Sequence, residues 1–202
     1  MDDDTNLPGE AEMPDGEALA LEESARALAD YLYKRTALWL ITAKKSLLLS
    51  PPTGVEKETL AALLAGIGTV DAHPALLHAA LTTGKKDAYY YDESIMTRHY
   101  AELSALLEDK DILATIAQVT RSDCKLYPCP TQYRKLMDVP FRFTKDEILG
   151  AVARMKNEEA YQDIGVVTAS NGASGLYSEQ FMTRRYAQAL IERIEVEDPA
   201  NP

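Results

Sequence analysis

Two cysteines, Cys124 and Cys129, are the residues of this chain with the most distinctive chemistry. Thiolates bind zinc, but a zinc site takes about four ligands, from pairs of cysteines or from cysteines with histidines. The chain has three histidines, and none of them has that spacing to a cysteine. We therefore expect free thiols and no cofactor, as is usual in the cytosol. The alternative is a labile disulfide or a shared metal, which would make the protein a redox or metal accessory factor.

A basic segment, residues 121–156, is the second candidate. It holds eight Lys and Arg residues against four Asp and Glu residues, and aromatic side chains lie between these charges. Such a mixture is found where proteins bind single-stranded nucleic acid or phosphate-bearing ligands. It suits an acidic protein partner or an ordinary solvated face equally well. The interaction residues that we single out here are Arg134, Lys135 and Arg142.

An internal repeat relates two distant segments of the chain. Residues 91–101, with the sequence YDESIMTRHYA, return 86 positions later at 177–187 as YSEQFMTRRYA, with seven of eleven positions identical. Unrelated segments seldom agree so well without a shared origin or a shared structural demand. The period is too long for a solenoid, whose units span about 20–50 residues, so it indicates a duplicated module.

One arginine stands at the same position of both copies, as Arg98 in the first and Arg184 in the second. Arginine side chains commonly pair with carboxylates, and Glu93 and Glu179 are close in sequence. An ion pair within the protein is therefore the favoured interpretation, and binding of an anion is the alternative. We count Arg98, Arg184 and the adjacent Arg185 as candidate interaction residues.

The repeated Met-Thr-Arg-x-Tyr sequence is predicted to lie on an amphipathic helix that closes each copy. Its methionine and tyrosine are four residues apart, so they would share one helix face and pack on the core. Asp92 and Ser178 are expected to be the N-caps of the two helices. The Asn171-Gly172 pair favours positive φ and predicts a tight hairpin turn between short strands. Residues 89–91 predict a strand in the first copy.

The element order of each copy is helix, helix or strand, turn, short strand and a final helix. In the first copy the starting helices are predicted at 55–66 and 73–83. This order resembles the winged-helix module, in which the hairpin turn, here at Asn171-Gly172, is the wing. The resemblance implies a fold and not a function, because winged helices read DNA in some proteins and bind proteins in others.

A long helix is predicted for residues 18–49, where apolar residues recur at threes and fours. Its centre, residues 37–41, is apolar on all sides and is expected to be buried. Repeat unit A is predicted at 50–111, a proline-rich linker with the cysteine pair at 112–142, and repeat unit B at 143–197. The predicted fold is mainly α with a minor β component. Two tandem related modules with short β-hairpins would pack on the N-terminal helix.

The net charge of −11 is unevenly distributed. Nine acids and no Lys or Arg lie in residues 1–23, so residues 1–17 are expected to form a disordered acidic tail. Residues 198–202 are expected to fray. The chain has no apolar run of transmembrane length, no secretory signal at its start and too few cysteines for a disulfide scaffold. These features favour a cytoplasmic protein that does not contact a membrane.

The predicted function follows mainly from what the sequence lacks. It contains no glycine-rich phosphate loop, nucleophile elbow or zinc-protease motif, so we do not expect an enzyme. Duplication and acidity favour a non-enzymatic protein-interaction or accessory protein, an adaptor or assembly factor with a protein partner. The alternative is a nucleic-acid-binding tandem winged-helix protein that uses residues 121–156. It is disfavoured because residues 50–111 carry ten acids against five bases, which phosphate would repel. The sequence leaves the oligomeric state open.

Overall fold

The computed structural model describes residues 16–197. Within that range, eight α-helices and two three-stranded antiparallel sheets make the fold mainly α with a minor β component, as predicted. No helix between these residues combines the length and the apolar content that a membrane span requires. The predicted tail at 198–202 lies outside the described residues, as does the predicted acidic tail apart from Gly16 and Glu17, which begin the first helix.

The chain divides into two units, each with its own core. Unit 1 is the part up to Thr83 together with Asp87–Arg98. Unit 2 consists of Gly84–Lys86 and the residues from His99 onward. Each unit contains a long helix that packs on the sheet of the same unit.

Within the described residues, unit 1 packs three α-helices with a small sheet. Its elements are α1 (Gly16–Ala37), β1 (Thr42–Ala43), α2 (Lys44–Leu49), α3 (Lys57–Gly66), a 3-10 turn (Pro74–Leu76), β2 (Ala79–Thr83) and β3 (Ala88–Asp92). The predicted strand at 89–91 is confirmed as part of β3. The strand order is β1-β3-β2, so Tyr90 lies opposite Thr42 on one side and Leu81 on the other. Leucines of α1 and α3 fill the core around Tyr90.

The long N-terminal helix predicted from the sequence ends early, at Ala37. The N–H of Leu40 donates to the C=O of Arg35 at 3.2 Å, and the N–H of Trp39 donates to the C=O of Thr36 at 2.8 Å. These two bonds form a Schellman motif, in which the residue after the helix is left-handed and is usually glycine. Trp39 takes that place with a φ of 60°. The motif ends α1 and turns the chain toward β1.

The apolar residues that follow α1 are exposed, which corrects the expectation of a buried helix centre. Leu38, Trp39 and Leu40 are 68%, 58% and 38% exposed, and Ile41 is the buried residue of this stretch. The predicted second helix at 73–83 is also wrong. β2 forms there instead, because each of its residues pairs with a residue of β3.

Unit 2 carries the remaining elements. They are α4 (Arg98–Glu108), whose first residue still belongs to unit 1, α5 (Ile112–Leu126), β4 (Thr131–Gln132), α6 (Tyr133–Met137), α7 (Lys145–Met155), a 3-10 turn (Glu159–Tyr161), β5 (Ile164–Thr168), β6 (Ser174–Ser178), α8 (Arg184–Glu192) and a π-helical turn (Arg193–Glu197). The strand order is β4-β6-β5, and Leu176 lies opposite both Thr131 and Val166. The predicted Asn171-Gly172 turn joins β5 to β6, with a φ of 86° at Gly172.

Residues 112–142, which the sequence predicted to be a linker, are built into unit 2 as α5, β4 and α6. α5 has its N-cap at Asp111, whose side chain accepts the N–H of Ala114 at 3.2 Å. The buried side of the helix contributes Leu113 and Ile116 to the core. The prolines that favoured an irregular connector follow α5 and do not interrupt it.

The repeated Met-Thr-Arg-x-Tyr sequence begins in a turn and becomes helical at its arginine. The N–H of Met182 donates to the C=O of Ser178 at 3.1 Å, so Ser178 opens this turn and is not the predicted N-cap. Asp92 opens the equivalent turn of the first copy, well before α4 begins. The N-cap of α8 is Thr183, whose side chain accepts the N–H of Tyr186 at 3.3 Å. In the second copy the predicted shared face does not form, since Met182 is buried and Tyr186 is 50% exposed.

Candidate interaction surface

A cleft of about 650 Å³ opens on unit 2 between α4 and α5. It reaches the 3-10 turn before β5 and the turn that precedes α8. Its apolar lining includes Leu106 of α4, Leu126 at the end of α5, and Phe181 in the turn before α8. Leu126 is 60% exposed and Phe181 is 42% exposed. Large apolar side chains that are exposed together in a concave surface are typical of a binding site.

The amphipathic pattern of α5 explains how one helix serves both the core and the cleft. Its core side buries Ile116 and Val119 among other apolar residues. The stripe that lines the cleft recurs at threes and fours, which is the spacing of one helix face: Ala114, Gln118, Arg121, Ser122, Lys125 and Leu126. The helix is held by its core side, so the other side is free to present a mixed apolar and basic wall.

Three of the side chains that line the cleft are basic: His99 from α4 and Arg121 and Lys125 from α5. No carboxylate is among the lining residues, all of which the structure describes. Nε2 of His99 lies 3.2 Å from Oγ of Ser122. Lys125 is exposed in the last turn of α5, where the helix dipole favours a cation. The cleft is therefore suited to a negatively charged ligand.

A polar network fixes Arg121 in the cleft wall. Its Nε donates to Oδ2 of Asp163 at 3.0 Å, and its Nη2 donates to the C=O of Ala160 at 2.6 Å. Oγ of Ser178 donates to the same carboxylate at 2.6 Å. Burial would raise the pKa of Asp163, but hydrogen bonds from Arg121 and Ser178 and the guanidinium charge outweigh it and lower that pKa. Arg121 thus stays charged in a fixed position, with part of its charge offset by Asp163.

The two cysteines lie close to this network as free thiols. Cys124 is 2% exposed, and its Sγ accepts the backbone N–H of Ser178 at 3.4 Å. Burial is the main cause that raises the pKa of Cys124 and that of Cys129. Both thiols are therefore protonated at neutral pH, and a protonated thiol is a poor nucleophile. Within residues 16–197, no group of three or more His, Cys, Asp or Glu side chains is arranged to hold a metal ion.

Two of the predicted interaction residues, Arg134 and Lys135, form ion pairs inside unit 2. Nζ of Lys135 donates to both carboxylate oxygens of Asp123, at 2.7 and 2.9 Å. Oγ1 of Thr131 donates to the same carboxylate at 2.8 Å. Nε of Arg134 lies 3.7 Å from Oε1 of Glu195. Asp123, which the sequence did not single out, thus joins α5 to β4 and α6.

The remaining predicted interaction residues are exposed and lie outside the lining of the cleft: Arg98, Arg142, Arg184 and Arg185. Arg184 and Arg185 are the first two residues of α8, and Arg142 precedes α7 with a φ of 55°. In the part of the chain that the structure describes, Arg184 does not form the favoured ion pair with Glu179. The Glu179 carboxylate accepts the O–H of Tyr177 at 3.2 Å instead.

Sequence reasoning missed the cleft because its lining comes from four separate segments of unit 2. One usable signal was present in α5, where Leu126 falls on the polar side of the helix, out of phase with the apolar residues of the core side. His99 and Phe181 belong to the repeated segment, and nothing local distinguishes them from core or surface residues. Only the fold brings these side chains to one place.

Comparison with known proteins identifies a relative that covers most of the chain and a family model that matches its C-terminal half. Residues 110–199 match the family model of the YdhW C-terminal domain, a range that contains α5 to α8. The chain is 36% identical over 180 residues to the uncharacterized protein YdhW of Escherichia coli (strain K12). That alignment covers 89% of this chain and 82% of the relative. No solved structure matches the chain.

Proposed function

The chain belongs to the YdhW family, and we propose that it acts as a cytoplasmic, non-enzymatic protein-interaction or accessory protein built from a duplicated, winged-helix-like module. Its binding surface is the cleft of unit 2. The partner is an acidic segment of another protein that carries a bulky apolar side chain. The observation that carries this proposal is the combination of exposed Leu126 and Phe181 with a lining that is basic and free of carboxylates.

The duplication is supported by hydrogen bonds that recur along the chain. The N–H of Glu93 donates to the C=O of His78 at 2.9 Å, and the N–H of Glu179 donates to the C=O of Asp163 at 2.8 Å. In each case the residue that follows the third strand of the copy, β3 or β6, is bonded to the residue that precedes the second strand, β2 or β5. The repeated sequence at 91–101 and 177–187 therefore coincides with a repeated local structure.

The winged-helix-like description is supported by element order. Each copy runs helix, strand, helix, helix, strand, strand, and each sheet places its third strand between the first and the second. The first helix of this series is α1 in one copy and α5 in the other. The hairpin of the second copy, with its turn at Asn171-Gly172, corresponds to the wing.

The third helix of each copy favours a protein partner over nucleic acid. Its exposed positions in the middle of the helix carry no basic residue: Ala61, Ala62 and Ala65 in α3, and Leu149, Gly150 and Ala153 in α7. The first turn of α7 adds the carboxylates of Asp146 and Glu147. Phosphate contacts need Lys and Arg on the face that meets the backbone of a nucleic acid. The exposed bases of these two helices, Lys57, Lys145 and Arg154, lie in their end turns, so the middle of each exposed face offers no such contact.

The cleft chemistry indicates what kind of segment fits. Aromatic and aliphatic side chains at the centre of an interface contribute most of the binding free energy, and burying a Leu or Phe fully is worth about 1.5–3 kcal/mol. Charged residues at the rim mainly raise the association rate and make binding depend on salt. We therefore expect the apolar anchor of the partner to contact Leu126 and Phe181, with its acidic residues near Lys125.

The experiment is a capture assay with the full-length chain, followed by an affinity measurement with the recovered partner. A double variant, Leu126→Ser with Phe181→Ser, removes the apolar floor, and Lys125→Glu reverses a charge of the lining. Val139→Ser is the matched control, because Val139 is 70% exposed in the same unit and does not line the cleft. All variants are checked for folding by circular dichroism and by urea unfolding.

We expect a stoichiometric protein partner that is retained by the native chain and by Val139→Ser. The double variant should weaken its binding by roughly tenfold or more, and Lys125→Glu should weaken it and reduce its salt dependence. Equal retention of the partner by a folded double variant would refute the cleft as the binding surface. Proteins that are lost on nuclease treatment would point to the nucleic-acid alternative instead.

A further inference from the structure

An apolar tip stands at the end of α1 in unit 1. Leu38 and Trp39 are 68% and 58% exposed, Leu40 is 38% exposed, and Leu49 at the end of α2 is 78% exposed. These side chains do not pack in the core, which is filled by other residues of the same helices, such as Leu32 and Leu47. The exposed group contains the single tryptophan of the chain.

The backbone at the tip favours a residue other than the one it carries. Trp39 has a φ of 60° at the position of a Schellman motif that is usually glycine. A side chain with a Cβ is disfavoured in this conformation. A large residue that is nevertheless found there suggests a functional role for its side chain. The chain thus keeps an exposed indole at a place where glycine would serve the fold better.

The surroundings of the tip are basic in an otherwise acidic protein. Residues 31–55 contain no Asp or Glu, and they contain four basic residues: Lys34, Arg35, Lys44 and Lys45. Two of the four have a carboxylate nearby, since Asp30 pairs with Lys34 at 2.5 Å and Asp87 accepts the backbone N–H of Lys45 at 3.1 Å. The other two form no ion pair with the residues that the structure describes. The tip therefore has a local excess of positive charge.

We propose that this tip attaches unit 1 to the surface of a membrane that contains anionic lipids. Tryptophan is enriched at the level of the lipid headgroups, because its ring is apolar and its N–H can still reach water. Exposed leucines beside it supply apolar area for the acyl boundary, and nearby Lys and Arg are attracted by the negative surface potential. Such attachment is peripheral and needs no membrane-spanning helix, and it departs from the expectation, drawn from the sequence, of no membrane contact.

The acids at the start of α1 do not oppose this attachment at the tip. Glu17, Glu22 and Glu23 lie in the first turns of this 22-residue helix, and the tip follows its last residue. At 1.5 Å per residue this helix is about 33 Å long. Exposed charges are largely screened beyond a Debye length of about 8 Å at physiological salt. A membrane in contact with the tip therefore experiences mainly the local basic charge.

The test uses the full-length chain and the fluorescence of Trp39, the only tryptophan. The chain is titrated with vesicles of phosphatidylcholine alone and with vesicles of equal parts phosphatidylcholine and phosphatidylglycerol, and co-sedimentation is measured in parallel. We expect a shift of the emission to shorter wavelength and co-sedimentation with the anionic vesicles only. Both effects should weaken as salt is added. Unchanged emission and no co-sedimentation at low salt would overturn the proposal.

Variants separate the tip from general adhesion. Trp39→Gly removes the indole and places the preferred residue at the left-handed position. The variant is therefore expected to fold, and a loss of vesicle binding would reflect the loss of the indole. It should reduce the partition onto anionic vesicles by roughly tenfold or more, and Lys44→Glu should reduce it and its salt dependence. Val70→Ser is the control, because Val70 is a fully exposed apolar residue of the same unit, and its binding should equal that of the native chain. Equal binding by native chain and Trp39→Gly would contradict attachment through the tip.

Discussion

The backbone N–H of Ser178 donates to Sγ of Cys124 at 3.4 Å, which fastens the end of β6 to α5. Unit 1 makes the equivalent contact with a different acceptor: the N–H of Asp92, at the end of β3, donates to Oγ1 of Thr36 in α1 at 3.0 Å. A buried N–H without an acceptor is costly, so each unit supplies one from its first long helix. Cys124 therefore has a structural role that does not depend on thiol chemistry.

Substitution of Cys124 tests this role. Cys124→Ala leaves the N–H of Ser178 without its acceptor and opens a small cavity, so we expect the free energy of unfolding to fall by about 1–3 kcal/mol. Cys124→Ser keeps an acceptor and should lose less. Urea unfolding followed by circular dichroism measures both values. Equal losses for the two variants would mean that packing of the sulfur, and not the hydrogen bond, is what matters.

A second prediction concerns alkaline pH. Burial raises the pKa of Cys124 and of Cys129 in the folded state. The folded chain therefore holds these protons to a higher pH than the unfolded chain, so the free energy of unfolding should decline once the pH rises above the thiol pKa of the unfolded chain. A variant with both cysteines changed to Ser should show a smaller decline between neutral and alkaline pH. Buried tyrosines affect both proteins alike, and identical pH profiles would contradict the prediction.

The sequence predicted the hairpin elements of the second copy well, because Asn171-Gly172 and the flanking apolar residues are strong local signals. It did not predict the end of α1, since the usual helix stop is glycine and Trp39 takes that conformation instead. The segment at 73–83 is rich in Ala and Leu, so its intrinsic propensity favours a helix. Pairing with β3 across a short hairpin loop decides its structure, and the helix propensity of the segment does not reveal that pairing.

The network around Asp163 gives the third prediction. Its lowered pKa means that the carboxylate stabilises the fold above the pKa of the unfolded chain, and that this contribution is lost as the pH falls through the folded pKa. Asp163→Asn should reduce the free energy of unfolding by about 2 kcal/mol at neutral pH, and the difference from the native chain should shrink in acid. Asp71→Asn, at an exposed carboxylate of unit 1, is the control and should change it by less than about 0.5 kcal/mol. A pH-independent difference would exclude the ionised carboxylate as the cause.

The candidate site was less predictable than the fold. The sequence pointed to Arg134 and Lys135 because they lie in a basic segment, yet both side chains are used in ion pairs with Glu195 and Asp123. A charge count cannot distinguish a base that faces a ligand from one that is paired inside the protein. Leu126 was detectable only as an apolar residue out of phase with its helix, which becomes meaningful once the rest of α5 is placed.

The backbone of Trp39 gives the last prediction, which compares two variants that both lack the indole. Ala and Gly differ here chiefly in the Cβ, and a Cβ is disfavoured at a φ of 60°. Trp39→Gly should therefore have a free energy of unfolding about 1 kcal/mol higher than Trp39→Ala, the reverse of the order inside a helix. Urea unfolding of the two purified variants measures the difference. If Trp39→Ala were as stable as Trp39→Gly, a Cβ at the left-handed end of α1 would carry no conformational cost. The backbone would then give no reason to regard the exposed indole of Trp39 as retained for binding.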